Sequence, residues 1–270
     1  MTYLGTLSAG IHPDPLRDIQ LHAGIDTIEL HCPKLDLPRG TPKMLQQLQR
    51  EGAKSKIRNN WGKDGVILNR TLCFAHASIT SDTLELIEKI REKLGTTVTR
   101  FDLALVVDGA DPDEADKWIG RAVTLKWGKI GSEDVGESRY VKPARAARNL
   151  IIYGDKAKQW LTGHSEKVLQ IELRFRKPFP KWISLERVTD LQNLDVRELF
   201  ARSIRLKRTW TEFEKIIERE KDDRPDYDRK TRMTSFVKRF DLAVDERIEP
   251  EAFTRLIPER LHVRSHVFFG

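Results

Sequence analysis

The chain has 270 residues, enough for one large domain or two small ones. Its net charge of +7 and pI near 9.3 suit a polyanionic partner as well as an ordinary basic enzyme. Its two cysteines, Cys32 and Cys73, form no CxxC and read as reduced thiols. With no leader pattern and no apolar run near the ~18 residues that span a bilayer, a cytoplasmic protein without membrane association is expected.

Residues 1–20 read as an irregular lead-in, and Ile25–Cys32 as a strand ended by Pro33. Thr41–Glu51 has a Thr N-cap, Pro42 at N1 and helical apolar spacing, and Gly52 closes it. Lys54–Asp64 is basic and polar and reads as a loop, and Val66–Ala75 as a second strand. Ser81–Leu94 is the clearest helix, with Leu84, Ile87, Ile90 and Leu94 on one face and Gly95 at the C-cap. Thr97–Asp108 is a strong strand, Pro112–Ile119 a short helix and Ala122–Trp127 a further strand. Leu150–Asp155 and Val168–Phe175 are strands flanking a turn at residues 162–165. After Pro178 and Pro180 the pattern turns helical, over Leu185–Lys207, Trp210–Lys221 and Thr234–Ile257, with a charged loop at Lys221–Arg232.

Strands followed by helices imply an α+β fold, a central mainly antiparallel sheet backed by helices with a helical C-terminal region. The expected division is 1–183 for the α+β part and 184–270 for the helical part. The pentapeptide at Arg100–Ala104 recurs at Arg239–Ala243, but five residues are too few to argue a duplicated unit.

Strand alternation places Asp102, Tyr153 and Glu172 on the polar faces of three strands. If these strands share a sheet in register, the three side chains converge. Two carboxylates on rigid strands suit a hard cation such as Mg2+ or Mn2+, which stabilises charge on a phosphodiester. A tyrosine hydroxyl beside them can attack phosphorus once a base or a metal activates it, because its ordinary pKa is ~10. Lys156 stands beside the site to stabilise developing charge. A tyrosine on a half-buried strand can equally be packing, an isolated carboxylate on a polar strand face is commonly solvated, and Glu172 can simply pair with Arg174 and Arg176 across solvent.

Between residues 139 and 181 there are eleven Lys or Arg and only three acids, a local excess that reads as a phosphate-tracking surface. Its candidate contacts are Arg139, Lys142, Arg145, Arg148, Lys158, Arg174 and Arg176. Tyr140, Trp160 and Trp182 interleave with them as stacking platforms or as core. Arg202, Arg205, Lys207 and Arg208 form the densest basic cluster of the later helices. There is no P-loop, GxGxxG, HExxH or nucleophile elbow.

The succession TRFDLALVVD, ARNLIIYGDK, VLQIELRFR, with IDTIELH before it, resembles rolling-circle replication-initiation proteins of phages and plasmids, of the replication-initiation-factor type. The resemblance spans roughly residues 20–205 and is tight only in those motifs. It implies a metal-dependent DNA endonuclease and strand transferase that nicks one strand at an origin and becomes linked to its 5′ phosphate. Carried over by motif, Tyr153 is the nucleophile, Lys156 a phosphate contact, Asp102 and Glu172 the metal-site acids, and Asp108 a third acid. Mg2+ or Mn2+ is the implied cofactor. The implied partners are single-stranded or melted origin DNA and a host replication helicase. Gln170 stands where an arginine is common, and the paired histidines of histidine-based initiators are missing. The alternative is a non-catalytic DNA- or RNA-binding protein using the same basic sheet face.

Overall fold

The computed structural model describes residues 19–32, 36–75, 80–120, 123–126, 130–135, 138–143, 148–206 and 250–260. In chain order the strands are β1 (Gln20–Cys32), β2 (Lys54–Trp61), β3 (Ile67–Ala75), β4 (Val98–Asp108), β5 (Val123–Leu125), β6 (Ile130–Val135), β7 (Ser138–Pro143), β8 (Arg148–Ala157), β9 (Lys167–Arg176) and β10 (Ile204–Leu206). The helices are α1 (Thr41–Arg50), α2 (Ser81–Leu94), α3 (Pro112–Ala115), α4 (Gln159–Thr162), α5 (Val196–Ser203) and α6 (Pro250–Leu256). A π-turn at Asp116–Gly120 continues α3, and a 3-10 turn occupies Val188–Asn193.

Eight strands form one antiparallel sheet in the order β2-β3-β1-β4-β9-β8-β7-β6, and β5 pairs with β10 separately. The fold is α+β, as the succession of elements implies. β4 and β9 lie at the centre of the sheet and are buried on both faces along most of their length. On one face of β4 and β9, Phe101, Leu103, Leu105, Leu169, Ile171, Leu173 and Phe175 are fully buried. The Phe101 and Phe175 rings lie opposite each other in register and stack with centroids 4.9 Å apart.

That face is covered by α2, whose Leu84, Ile87 and Ile90 join the same core. The Thr80 hydroxyl caps α2 by accepting from the Thr83 N–H, and Gly95 closes it at φ 57°, a left-handed turn that glycine adopts without strain. Glu88 is the charged exception on the buried side of α2. Its burial pushes its carboxyl up, but bonds from Arg91 and the Val188 N–H outweigh that and hold it below the usual range. The contact ties the 3-10 turn to the helix. Val188, Leu191, Val196, Leu199 and Phe200 lie in the same core as the sheet, so the described part of the chain after residue 184 packs as its continuation.

Several elements differ from the sequence expectation. Lys54–Asp64 is not a loop: residues 54–61 are β2, an edge strand paired with β3. Nearly all of its side chains are exposed, so no apolar alternation marks it. β1 starts at Gln20, five residues early, and β6 and β7 carry no signal recognised in the sequence. Gly40, at φ 90°, is the N-cap of α1, and Thr41 lies inside the helix with its hydroxyl unpartnered. The helix expected over 185–207 divides into the 3-10 turn, α5 and β10. Residues 207–249, with the expected helix at Trp210–Lys221 and most of the one at Thr234–Ile257, lie outside the described residues. Among the described residues no helix is long and apolar enough to cross a membrane.

Candidate active site

The second face of the sheet carries the polar side chains, beside a small apolar cluster of Ala104, Val106, Val168 and Leu161 of α4. Register sets the arrangement: Asp102 of β4 is opposite Arg174 of β9, Ala104 opposite Glu172, Ile151 of β8 opposite Glu172, and Tyr153 opposite Gln170. Asp102, Tyr153 and Glu172 therefore share one face of three adjacent strands and line a cleft of about 220 Å³. The convergence expected from alternation is present.

Two β-bulges refine it. In β8 the register slips by one residue between Tyr153 and Lys156, which returns Lys156 to the face of Tyr153. Its ammonium lies 4.8 Å from the centre of the Tyr153 ring, within cation–π range. In β1 the register shifts between Ile25 and Thr27, leaving Asp26 as the extra residue in the cleft wall. Strict alternation would put Asp26 on the same side as Ile28 and Leu30, in the apolar core. The sequence signal for it was this conflict, an acid at a core position.

Every carboxylate here is engaged. Asp102 is fully buried and accepts from Nε (2.8 Å) and Nη2 of Arg100 and from Arg174 Nε at 3.2 Å. Arg174 also donates to Glu172 Oε1 at 2.8 Å, and Arg100 to Glu29 at 2.8 Å. Asp26 holds the buried Lys158 ammonium at 2.7 Å and accepts from the Thr27 hydroxyl. Tyr153, 6% exposed, donates its hydroxyl to Glu172 Oε2 at 3.1 Å.

Burial and the neighbouring carboxylates of Glu172 and Asp26 push the Tyr153 hydroxyl far above its ordinary range, so it stays protonated. Burial, with repulsion from Asp102 and Asp26, raises Glu172 to about 7 despite Arg174. Burial alone would lower Arg100, but the bond and charge of Asp102 and the charge of Glu29 reverse that and hold it above the usual range. Gln170, directly opposite Tyr153, is fully buried, and neither of its amide atoms has a partner.

Asp108 does not join Asp102 and Glu172. At the far end of β4 it accepts from His22 Nε2 at 3.2 Å and His164 Nε2 at 2.9 Å when those nitrogens carry protons. Burial raises its carboxyl, but the His164 contact and the Gly109 N–H outweigh this and lower it. As the side chains stand, the residues do not fit Mg2+ or Mn2+. The oxygens that would bind an ion are occupied by arginine, lysine, threonine and tyrosine donors, and no three His, Cys, Asp or Glu among the described residues are placed to share one.

The basic residues divide between the two faces. Arg174, Arg176 and Lys156 stand on the cleft face. Arg139 is opposite Ile152 and Arg148 opposite Phe175, so both lie on the helix-covered face. There Arg139 pairs with Asp116 at 3.1 Å, and burial lowers Arg148 below its usual range. Lys158 is committed to Asp26. Arg202 lies over the ring of Trp182, which packs against Phe175 on the core side, and Arg205 is exposed on β10. Arg145, Lys207 and Arg208 lie outside the described residues, as does the side chain of Lys142.

The site thus defines a protein with a tyrosine–carboxylate pair set among arginines and lysines on one antiparallel sheet face. No family model matches the chain, and no curated protein matches it. Among solved structures it is similar to a rolling-circle replication initiator protein from Geobacillus stearothermophilus, at 14% identity. That likeness covers 70% of this chain and 87% of the other, with a TM-score of 0.37, too distant to carry weight for what this chain does.

Proposed function

We propose that this protein nicks and rejoins one DNA strand at an origin through a covalent 5′-phosphotyrosine on Tyr153, as a rolling-circle replication initiator. The observation that carries the reading is the hydrogen bond from the Tyr153 hydroxyl to Glu172, in a cleft lined by Arg100, Arg174 and Lys156. A carboxylate titrating near 7 is suited to accept a proton at neutral pH. The Tyr153 oxygen bonds to phosphorus as its proton passes to Glu172. The P–O3′ bond breaks, and its electron pair leaves on the 3′ oxygen, which takes a proton from solvent. The reverse sequence rejoins the strand. Lys156 and the arginine cluster offset charge on the phosphate oxygens. The motif resemblance to rolling-circle initiators supports the choice of single-stranded or melted origin DNA, and a host replication helicase is the partner that role entails.

Mg2+ or Mn2+ stands as a separate proposal. Asp102 and Glu172 would hold the ion only after releasing Arg100 and Arg174, and no step above passes through it. A second reading, non-catalytic binding of DNA or RNA, is favoured by the burial of Tyr153 and the tight hold on its proton. The deciding experiment incubates the protein with end-labelled single-stranded origin DNA, with and without Mn2+, and resolves the products on a denaturing gel. A covalent adduct that Tyr153→Phe abolishes is expected. Binding without any adduct selects the second reading.

A further inference from the structure

Away from the cleft, the β2–β3 hairpin combines two unusual features. The first is a line of cations at the sheet edge. Lys54, Lys56 and Arg58 are opposite Ala75, Cys73 and Thr71, which places all three on the cleft face. Two residues of strand advance about 6.7 Å, close to the step between neighbouring phosphates of an extended single strand. Arg58 lines the cleft and bonds Glu29 at 3.2 Å, so the line continues into the site. Between Arg58 and Arg100 on this face stand Cys73 and Glu29, whose carboxylate both arginines hold, while the small Ala75 and Thr27 separate Lys54 from Asp102.

The second feature is the hairpin end. Trp61, Val66 and Leu68 are 62%, 56% and 61% exposed. Lysines on an edge strand are a common guard against edge-to-edge pairing. An edge built only to repel would not end in an exposed tryptophan and two aliphatic side chains. Cations spaced along one face of a strand match phosphate contacts, and Trp61, the residue after Asn60 and so on the other face at the hairpin end, offers a ring for base stacking where a single strand passes around that end.

We propose that the β2–β3 hairpin is a docking track for single-stranded DNA leading to the Tyr153 cleft, with Lys54 and Lys56 on phosphates and Trp61 stacked on a base. This rests on the reading of the cleft as a DNA site, but binding to the track is separable from chemistry at Tyr153. The test measures binding of a fluorescent oligo-dT by anisotropy over a range of salt, in full-length protein carrying Tyr153→Phe. Adding Lys54→Ala with Lys56→Ala is expected to lower the slope of log affinity against log salt by about 1.4, or about 0.7 per phosphate contact. Adding Trp61→Ala is expected to weaken binding about tenfold at unchanged slope, with Trp61→Phe restoring most of it. All of these side chains are exposed, and unchanged thermal unfolding checks that the variants fold. Affinities and slopes equal to the parent's would overturn the proposal, as would a duplex of equal length binding as tightly. Because no adduct can form in this background, failure of the hairpin variants to act leaves the Tyr153 reading intact, and absence of an adduct in the wild-type protein leaves the track intact.

Discussion

β4 and β9 bury both their faces, but around the cleft they do so by opposite means, apart from the small cluster of Ala104, Val106 and Val168 under Leu161. On the helix-covered face Phe101, Leu103, Leu173 and Phe175 are withdrawn from water with no polar group to satisfy. On the cleft face Asp102, Glu172 and Arg100 are almost as deeply buried, each with partners. Apolar packing degrades gradually when trimmed, because each lost contact costs its own small share. A buried ionic cluster fails more abruptly, because removing one member strands the charge of another. The apolar face therefore determines whether the sheet forms, and the ionic face holds a tyrosine and a carboxylate in a defined relation.

Three perturbations test that contrast, in falling order of expected effect. Phe101→Ala removes a ring from the centre of the core, with Phe175 stacked on it, and is expected to cost about 4 kcal/mol in denaturant unfolding. Asp102→Ala leaves Arg100 and Arg174 facing each other without their shared carboxylate. It is expected to cost about 3 kcal/mol, and a cost well below 1 would mean the arginines reach solvent freely.

The third perturbation is pH. Glu172 has a folded pKa raised from 4.5 to about 7. Its contribution to stability is fully present below about 4.5 and is lost as pH rises through about 7. The chemistry runs the other way, because Glu172 must be ionised to accept the proton. Adduct formation should rise about tenfold per pH unit below 7 and then level off. Glu172→Gln should flatten both profiles, and a wild-type rate unchanged between pH 5.5 and 7.5 excludes Glu172 as the acceptor.

The sequence and the structure agree most closely where alternation is unbroken. Asp102 and Glu172 lie on the face that alternation assigns them, because β4 and β9 keep a strict period of two across their pairing. Lys156 is close to Tyr153 in sequence, but its face depends on the bulge after Tyr153. Asp26 was missed because a bulge reverses the side that alternation assigns to it. Arg148, five residues from Tyr153, has the opposite parity, so its place on the other face was already legible. Arg139 was not, since its side depends on how β7 pairs with β8. The hairpin was hidden because an edge strand exposed on both faces has no apolar pattern to show.

The sequence by itself determined the apolar faces, the α2 helix, the α+β class and the three polar side chains that meet in the cleft, because side-chain period and burial are local properties of strands and helices. Only the tertiary structure decided which cations stand beside that tyrosine and which lie behind the sheet, that Asp108 belongs to two histidines, and that a basic segment read as a loop is the strand at the cleft's edge. Those outcomes depend on register and strand order, which arise from pairing between segments far apart in the chain.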